Sequence, residues 1–227
     1  MSDISLRDRR QALIDRSDLE GEQFCREYAK EADEWLSTVA DRATAGNTRH
    51  LALVAVGGYG RRDLCPYSDL DIVLVHSGYR DVSRIADAIW YPVWDQGVHL
   101  DHSVRRPKEV LDAAEADLRV ALGLLDARLV WGDERLAETL TSESLARWRS
   151  ELANRWLPTL AEQMKHRHQT QGDVAFLLEP EIKEGHGGLR DAHALAAIAA
   201  YTPRLGDYVD LGAIGAPVTL LTSIRVA

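Results

Sequence analysis

The chain has 227 residues, 45% of them hydrophobic and 28% charged, the balance of a folded protein long enough to bury a core. Its net charge of −9, from 27 Lys and Arg against 36 Asp and Glu, excludes a general coat for nucleic acid, whose phosphates demand a basic face, but allows a local pocket for one nucleotide. Two cysteines, Cys25 and Cys65, cannot build a disulfide framework and fit a reducing compartment as packed or half-exposed thiols.

The charged N-terminus, Met1 to Arg10, lacks the apolar stretch of a secretory signal. Over residues 19–43 the apolar side chains Phe24, Tyr28, Ala32, Trp35, Leu36 and Val39 recur at helical spacing, and Gly46-Asn47 ends that helix. Residues 51–56 form a short, wholly apolar run stopped by Gly57-Gly58, a strand buried on both faces. A second such run, 70–75, carries Asp71 inside it, and a charge within an apolar strand needs a reason. A helix over 83–94 leads to a third strand over 97–104, where Asp101 alternates onto one face with His99 and Ser103. Pro107 then opens a helical stripe, Val110 to Leu125, that ends near Trp131-Gly132. Another helix runs from Ser142 through Trp148, Trp156 and Met164, which read as core, with Pro158 as a kink point. Residues 192–227 are apolar without a clear final cap, as in a piece of a longer chain. The longest uncharged run, 211–224, is shorter than the roughly 18 apolar residues of a membrane span, so a cytoplasmic location without a membrane partner is expected.

The chemistry lies in one ordered pattern: a strand, Gly57-Gly58, ten residues, then Asp69-Leu70-Asp71 opening the next strand. Glycines directly after a strand let the backbone approach a bulky anion. Carboxylates at i and i+2 on a strand point to one side, where like charges are unfavourable unless a cation sits between them. Magnesium suits that place in phosphate chemistry. Each part alone reads as an ordinary turn or a capping aspartate, and it is the combination that points to function. His99, His102, His166 and His168 show no usual zinc-ligand spacing and read as solvent-facing.

This pattern resembles the nucleotidyltransferases of the DNA polymerase β superfamily. The stretch from Gly57 through Tyr59-Gly60-Arg61-Arg62-Asp63-Leu64-Cys65-Pro66-Tyr67-Ser68 to Asp71 is similar, more narrowly, to the bifunctional uridylyltransferase/uridylyl-removing enzymes that modify the nitrogen-signalling protein PII. A second block, Leu178-Glu179-Pro180-Glu181-Ile182-Lys183-Glu184-Gly185-His186-Gly187-Gly188-Leu189-Arg190-Asp191, resembles the signature that follows the core of that family. The likeness covers about residues 19–195. Cys65 and His186 depart from it, at positions that carry no catalysis.

The resemblance implies an α+β fold of the polymerase β type, a small mixed sheet flanked by helices and followed by a helical domain. Its parts are an N-terminal helical segment over 1–46, a nucleotidyltransferase core over 47–131, and a helical domain over 132–227 that is expected to be truncated. It further implies that Gly57 and Gly58 hold a nucleoside triphosphate, UTP or ATP, and that Asp69 and Asp71 bind two magnesium ions. Asp101 is the expected third carboxylate, with a surface aspartate as the alternative. Ser68 either donates to phosphate or caps its own turn, and Arg61 either reaches phosphate or lies in solvent. Lys183 and Arg190 are candidate phosphate partners, though Arg190 could equally pair with Asp191 or Glu179. The implied reaction is transfer of UMP to a tyrosine hydroxyl of PII with loss of pyrophosphate, or of AMP if ATP is used. Without the family's hydrolase and sensor domains, the chain is expected to be the transferase part only. A glutamine synthetase adenylyltransferase-like domain is partly allowed by the second block and disfavoured by Tyr67-Ser68-Asp69-Leu70-Asp71. A module that binds nucleotide without transferring it is disfavoured by two intact, converging carboxylates.

Overall fold

The computed structural model describes residues 4–174, 178–179 and 181–226. Residues 1–3 of the charged N-terminus, Pro180 of the second block and Ala227 lie outside the described residues. The chain divides into two units, Met1–Ser144 and Leu145–Ala227.

In the first unit, α1 (Leu6–Ile14) is capped by the Ser5 hydroxyl, which accepts from the Asp8 N–H at 3.0 Å. It packs on α2 (Gly21–Thr44), whose predicted stripe from Phe24 to Val39 is buried as a whole. α2 stops where Ala45 and Gly46 turn left-handed, at φ of 52° and 76°, and the Gly46 N–H returns to the Asp41 carbonyl at 2.8 Å. No helix among the described residues is long and apolar enough to cross a membrane.

Behind α2 stands a four-stranded mixed sheet in the order β3-β2-β1-β4. The strands are β1 (Leu51–Ala55), β2 (Leu70–His76), β3 (Leu100–Arg105) and β4 (Arg128–Gly132). β1 is antiparallel to β2 and β4, and β2 is parallel to β3 through the crossover helix α4 (Val82–Asp95). All five residues of β1 are buried, as their unbroken apolar run requires of a central strand covered on both faces. A short helical turn, α3 (Gly57–Gly60), links β1 towards β2.

One expectation is corrected here. The stripe after Pro107 is two helices, α5 (Pro107–Ala116) and α6 (Leu118–Leu125), followed by β4, and no helix reaches Trp131. Asp117 divides the helices: its backbone is extended, and its side chain accepts from the Arg119 N–H at 2.7 Å to cap α6. Leu129-Val130-Trp131 fits either periodicity, and pairing with β1 decides for strand. The first unit ends within α7 (Glu134–Arg147).

The second unit is helical. It contains a π-helical turn (Trp148–Leu152), α8 (Ala153–Gln171), α9 (Leu189–Tyr201) and α10 (Gly215–Val226). Trp148 is buried and donates its indole N–H to the Ala197 carbonyl at 3.0 Å, tying the π turn to α9. Trp156 and Met164 are only half-buried. α8 continues through Pro158, and the departure from α geometry comes earlier, in the π turn.

Candidate active site

The glycine turn is fixed from below. The Val56 N–H donates to the Asp71 carbonyl at 3.0 Å, which holds the end of β1 against β2. Gly57 follows in the left-handed region at φ 54°, and a Cβ there would stand 3.3 Å from Asp71 Oδ2. Gly60 is demanded by packing, since its Cβ would overlap the Asp126 carbonyl oxygen at 2.1 Å. Gly58 differs from both: an added Cβ would meet nothing nearer than the Arg61 guanidinium at 3.9 Å. Fold geometry explains Gly57 and Gly60, whereas Gly58 faces room.

The carboxylates come from two parallel strands. Asp71 on β2 is the register partner of Asp101 on β3, which puts both side chains on one side of the sheet. Asp69 stands one residue before β2, and the Leu70 N–H already pairs with the His99 carbonyl at 2.9 Å, so alternation carries Asp69 to the same side as Asp71. Asp71 is half-buried, while Asp69 and Asp101 are exposed. The carboxyl oxygens of the three are not gathered within 4.8 Å of one another. Three carboxylates offer a hard-oxygen set, the donor chemistry that fits magnesium.

A polar frame holds this turn. Arg61 is ion-paired to Asp63 at 2.7 Å and to Asp126, and although burial works against its charge, the two carboxylates keep it firmly protonated. Its Nη2 lies 3.9 Å from where a Cβ at Gly58 would stand. The Ser68 hydroxyl accepts from the Cys65 N–H at 3.0 Å and so closes its own turn. Beneath the turn, the Tyr59 hydroxyl donates to Asp33 of α2 at 2.7 Å, and Arg128 of β4 grips the same carboxylate at 2.7 and 3.0 Å. Arg128 also donates to the Tyr59 and Gly60 carbonyls. Burial, then the neighbouring Asp33 charge, pushes the Tyr59 phenol well above its ordinary range, so it stays a donor. The sequence reading missed Gly60, Asp33, Asp126 and Arg128. Gly60 stood inside the quoted motif, but the other three gain meaning only through long-range contacts.

Lys183 and Arg190 belong to the second unit. Arg190 donates to Glu184 at 3.0 Å, and Asp191 is held instead by Arg167 and His168. Residues 181–188 of the second block form a compact turn: a Cβ at Gly188 would lie 2.8 Å from the carbonyls of Gly185 and Ile182, and one at Gly185 would lie 2.6 Å from that of Glu181. Two histidines expected in solvent are not there. His102 is half-buried between the rings of Trp90 and Trp94, and His168 is bonded to Asp191.

Residues 157–216 match the family model described as GlnD PII-uridylyltransferase. The chain is 50% identical over 177 residues to a bifunctional uridylyltransferase/uridylyl-removing enzyme of Streptomyces coelicolor, an alignment that covers 77% of this chain and 21% of that protein. Proteins of the same name from Mycobacterium tuberculosis and Erythrobacter litoralis are 41% and 32% identical, covering 81% and 89% of this chain and 22% and 23% of their own length. Among solved structures, a chain from the crystal structure of a toxin-antitoxin with AMP-PNP aligns with 56% of this chain and 98% of its own at 14% identity and a TM-score of 0.38, too distant to support a conclusion. The sequence matches place the chain in a nucleotidyltransferase enzyme family. It belongs, within that class, to the GlnD family, and it spans about a fifth of the length of the curated relatives it matches.

Proposed function

We propose that the first unit is a polymerase β-type nucleotidyltransferase core that moves UMP from UTP to a tyrosine hydroxyl of the PII signalling protein, releasing pyrophosphate. The observation that carries this reading is the pairing of Asp71 with Asp101 beside a glycine turn in which Gly58 alone has no packing demand. Relatives named as uridylyltransferases favour UTP over ATP, and the PII acceptor rests on the matched family's description.

In this reading Asp69, Asp71 and Asp101 would hold magnesium, whose Lewis-acid chemistry would be to lower the pKa of an attacking hydroxyl and neutralise charge on the triphosphate. The chain's own residues position the reactants. Gly57 and Gly58 bring backbone close to the phosphates, and Gly58 leaves the space a phosphate needs. The Tyr59–Asp33–Arg128 frame holds that backbone rigid, so its orientation is set before the substrate arrives. Ser68 and Arg61 shape the same turn, Ser68 by capping and Arg61 by bridging Asp63 to Asp126.

The test is mass spectrometry of a purified PII protein after incubation with this chain, magnesium and either UTP or ATP. A UMP adduct on one tyrosine, with none from ATP, is the expected result. An AMP adduct alone would replace UTP with ATP, and no adduct from either, on folded chain that binds nucleotide, would overturn the transfer reading.

A further inference from the structure

In the second unit, three side chains that the proposed transfer does not use converge. His168 comes from the last turns of α8, Asp191 from the first turn of α9, and His186 from the glycine turn between them. One ligand atom of each lies within 4.8 Å of the others. His168 Nε2 stands 2.9 Å from both carboxyl oxygens of Asp191, and the rings of His168 and His186 are 4.2 Å apart between centroids. Asp173 Oδ2 is 3.7 Å from His186 Nδ1, and residues 173 and 186 are joined by a β-bridge.

We propose that His168, His186 and Asp191 bind one divalent transition-metal ion of the zinc class, with Asp173 or water as the fourth ligand. Two imidazoles with a carboxylate select zinc, cobalt or nickel over magnesium or calcium, which take oxygen sets. A tetrahedral ion with ligands at about 2.0–2.1 Å needs its donors roughly 3.3 Å apart. The His168–Asp191 pair is already that close. His186 supplies the remaining movement, because its side chain is 58% exposed and its flanking Gly185 and Gly187 carry no side chain against it.

The carboxylate is oriented from outside, as ligating carboxylates are. Arg167 donates to Asp191 Oδ1 at 2.7 Å and the Gly187 N–H to Oδ2 at 2.8 Å. As a ligand, His168 would present the lone pair of Nε2 to the ion and carry its ring proton on Nδ1. The ion then joins the end of α8, the glycine turn and the start of α9, a clasp on the second sequence block. The sequence reading set aside a zinc site at His99, His102, His166 and His168 because they lack the usual ligand spacing, and it did not weigh His186. This inference uses second-unit residues only and does not rest on the transferase reading.

The test uses the full chain without a histidine tag, stripped with EDTA and titrated with ZnCl₂ by calorimetry and with CoCl₂ by visible absorption. Besides any ion taken by the first unit's carboxylates, one nitrogen-ligated ion per chain is expected, with cobalt bands of a low-symmetry nitrogen and oxygen site and a rise in Tm of roughly 5–10 °C at a hundredfold excess over Kd. His186→Ala and His186→Gln, checked for folding by circular dichroism, should weaken zinc binding at least about tenfold. His166→Ala should bind as the parent does, and Asp71→Asn should keep the cobalt bands of the nitrogen-ligated site. No saturable binding, equal affinity in both His186 variants, or loss of those bands in Asp71→Asn would each overturn the proposal.

Discussion

Asp71 on β2 and Asp101 on β3 are direct neighbours in the parallel register, two carboxylates side by side on one face of the sheet. With no cation between them this pairing is unfavourable, as like charges on adjacent strands are. Asp101→Asn should therefore leave stability in EDTA equal or raise it by about 0.2–1 kcal/mol, while lowering magnesium-dependent transfer at least about a hundredfold. Urea unfolding and a transfer assay on the same preparation check both halves, and a variant that loses stability and keeps activity would reverse the assignment.

The glycine turn separates packing from function. Gly60→Ala drives a methyl into the Asp126 carbonyl and should cost about 3 kcal/mol or more, seen as a large drop in urea midpoint. Gly58→Ala meets only the tip of Arg61 and should unfold like the parent. Its binding of a fluorescent UTP analogue should nonetheless weaken about tenfold or more, because a methyl occupies the space assigned to phosphate. Equal nucleotide affinity in Gly58→Ala would remove that assignment.

Asp33 is the hub of the frame under the turn, accepting from Tyr59 and Arg128. Asp33→Ala strands a guanidinium that is 20% exposed beside a buried phenol, and should destabilise by about 2–3 kcal/mol. Tyr59→Phe removes one hydrogen bond and should cost about 1 kcal/mol. A double-mutant cycle of Tyr59→Phe with Asp33→Asn, read by urea unfolding, should show coupling, and strict additivity would mean the bond contributes nothing.

His76, at the end of β2, is buried with no hydrogen-bond partner for Nδ1 among the described residues. Burial first, and the Arg106 charge second, hold its pKa below the ordinary value, so it is neutral in the folded chain. The unfolded histidine titrates near 6.5. Its contribution to stability is therefore complete above about pH 6.5 and is lost as pH falls through that value, because the unfolded state takes up the proton first. His76→Leu should flatten the fall in urea midpoint between about pH 7.5 and 5 relative to the parent, and identical slopes would contradict this.

β1, β2, the long helix α2 and the i, i+2 aspartates were legible because each rests on local sequence: unbroken apolar runs, a 3.6-residue stripe and an i, i+2 repeat. β4 was not, because Leu129-Val130-Trp131 is too short to distinguish the two periods and becomes a strand by pairing with β1. The same reason hid Asp33, Asp126 and Arg128, whose neighbours lie 26 to 95 residues away. His168 read as solvent-facing because the turn that returns Asp191 and His186 to it is made of glycine contacts with no periodic signature.

The most direct measurement is transfer of label from α-phosphate-labelled UTP to purified PII by the parent chain, Asp71→Asn and Asp101→Asn, across a magnesium titration. The account predicts labelled PII with the parent only when magnesium is present, and loss of label of at least about a hundredfold in either folded variant. Label transferred at parental rate by Asp71→Asn, or by the parent in EDTA, would contradict it.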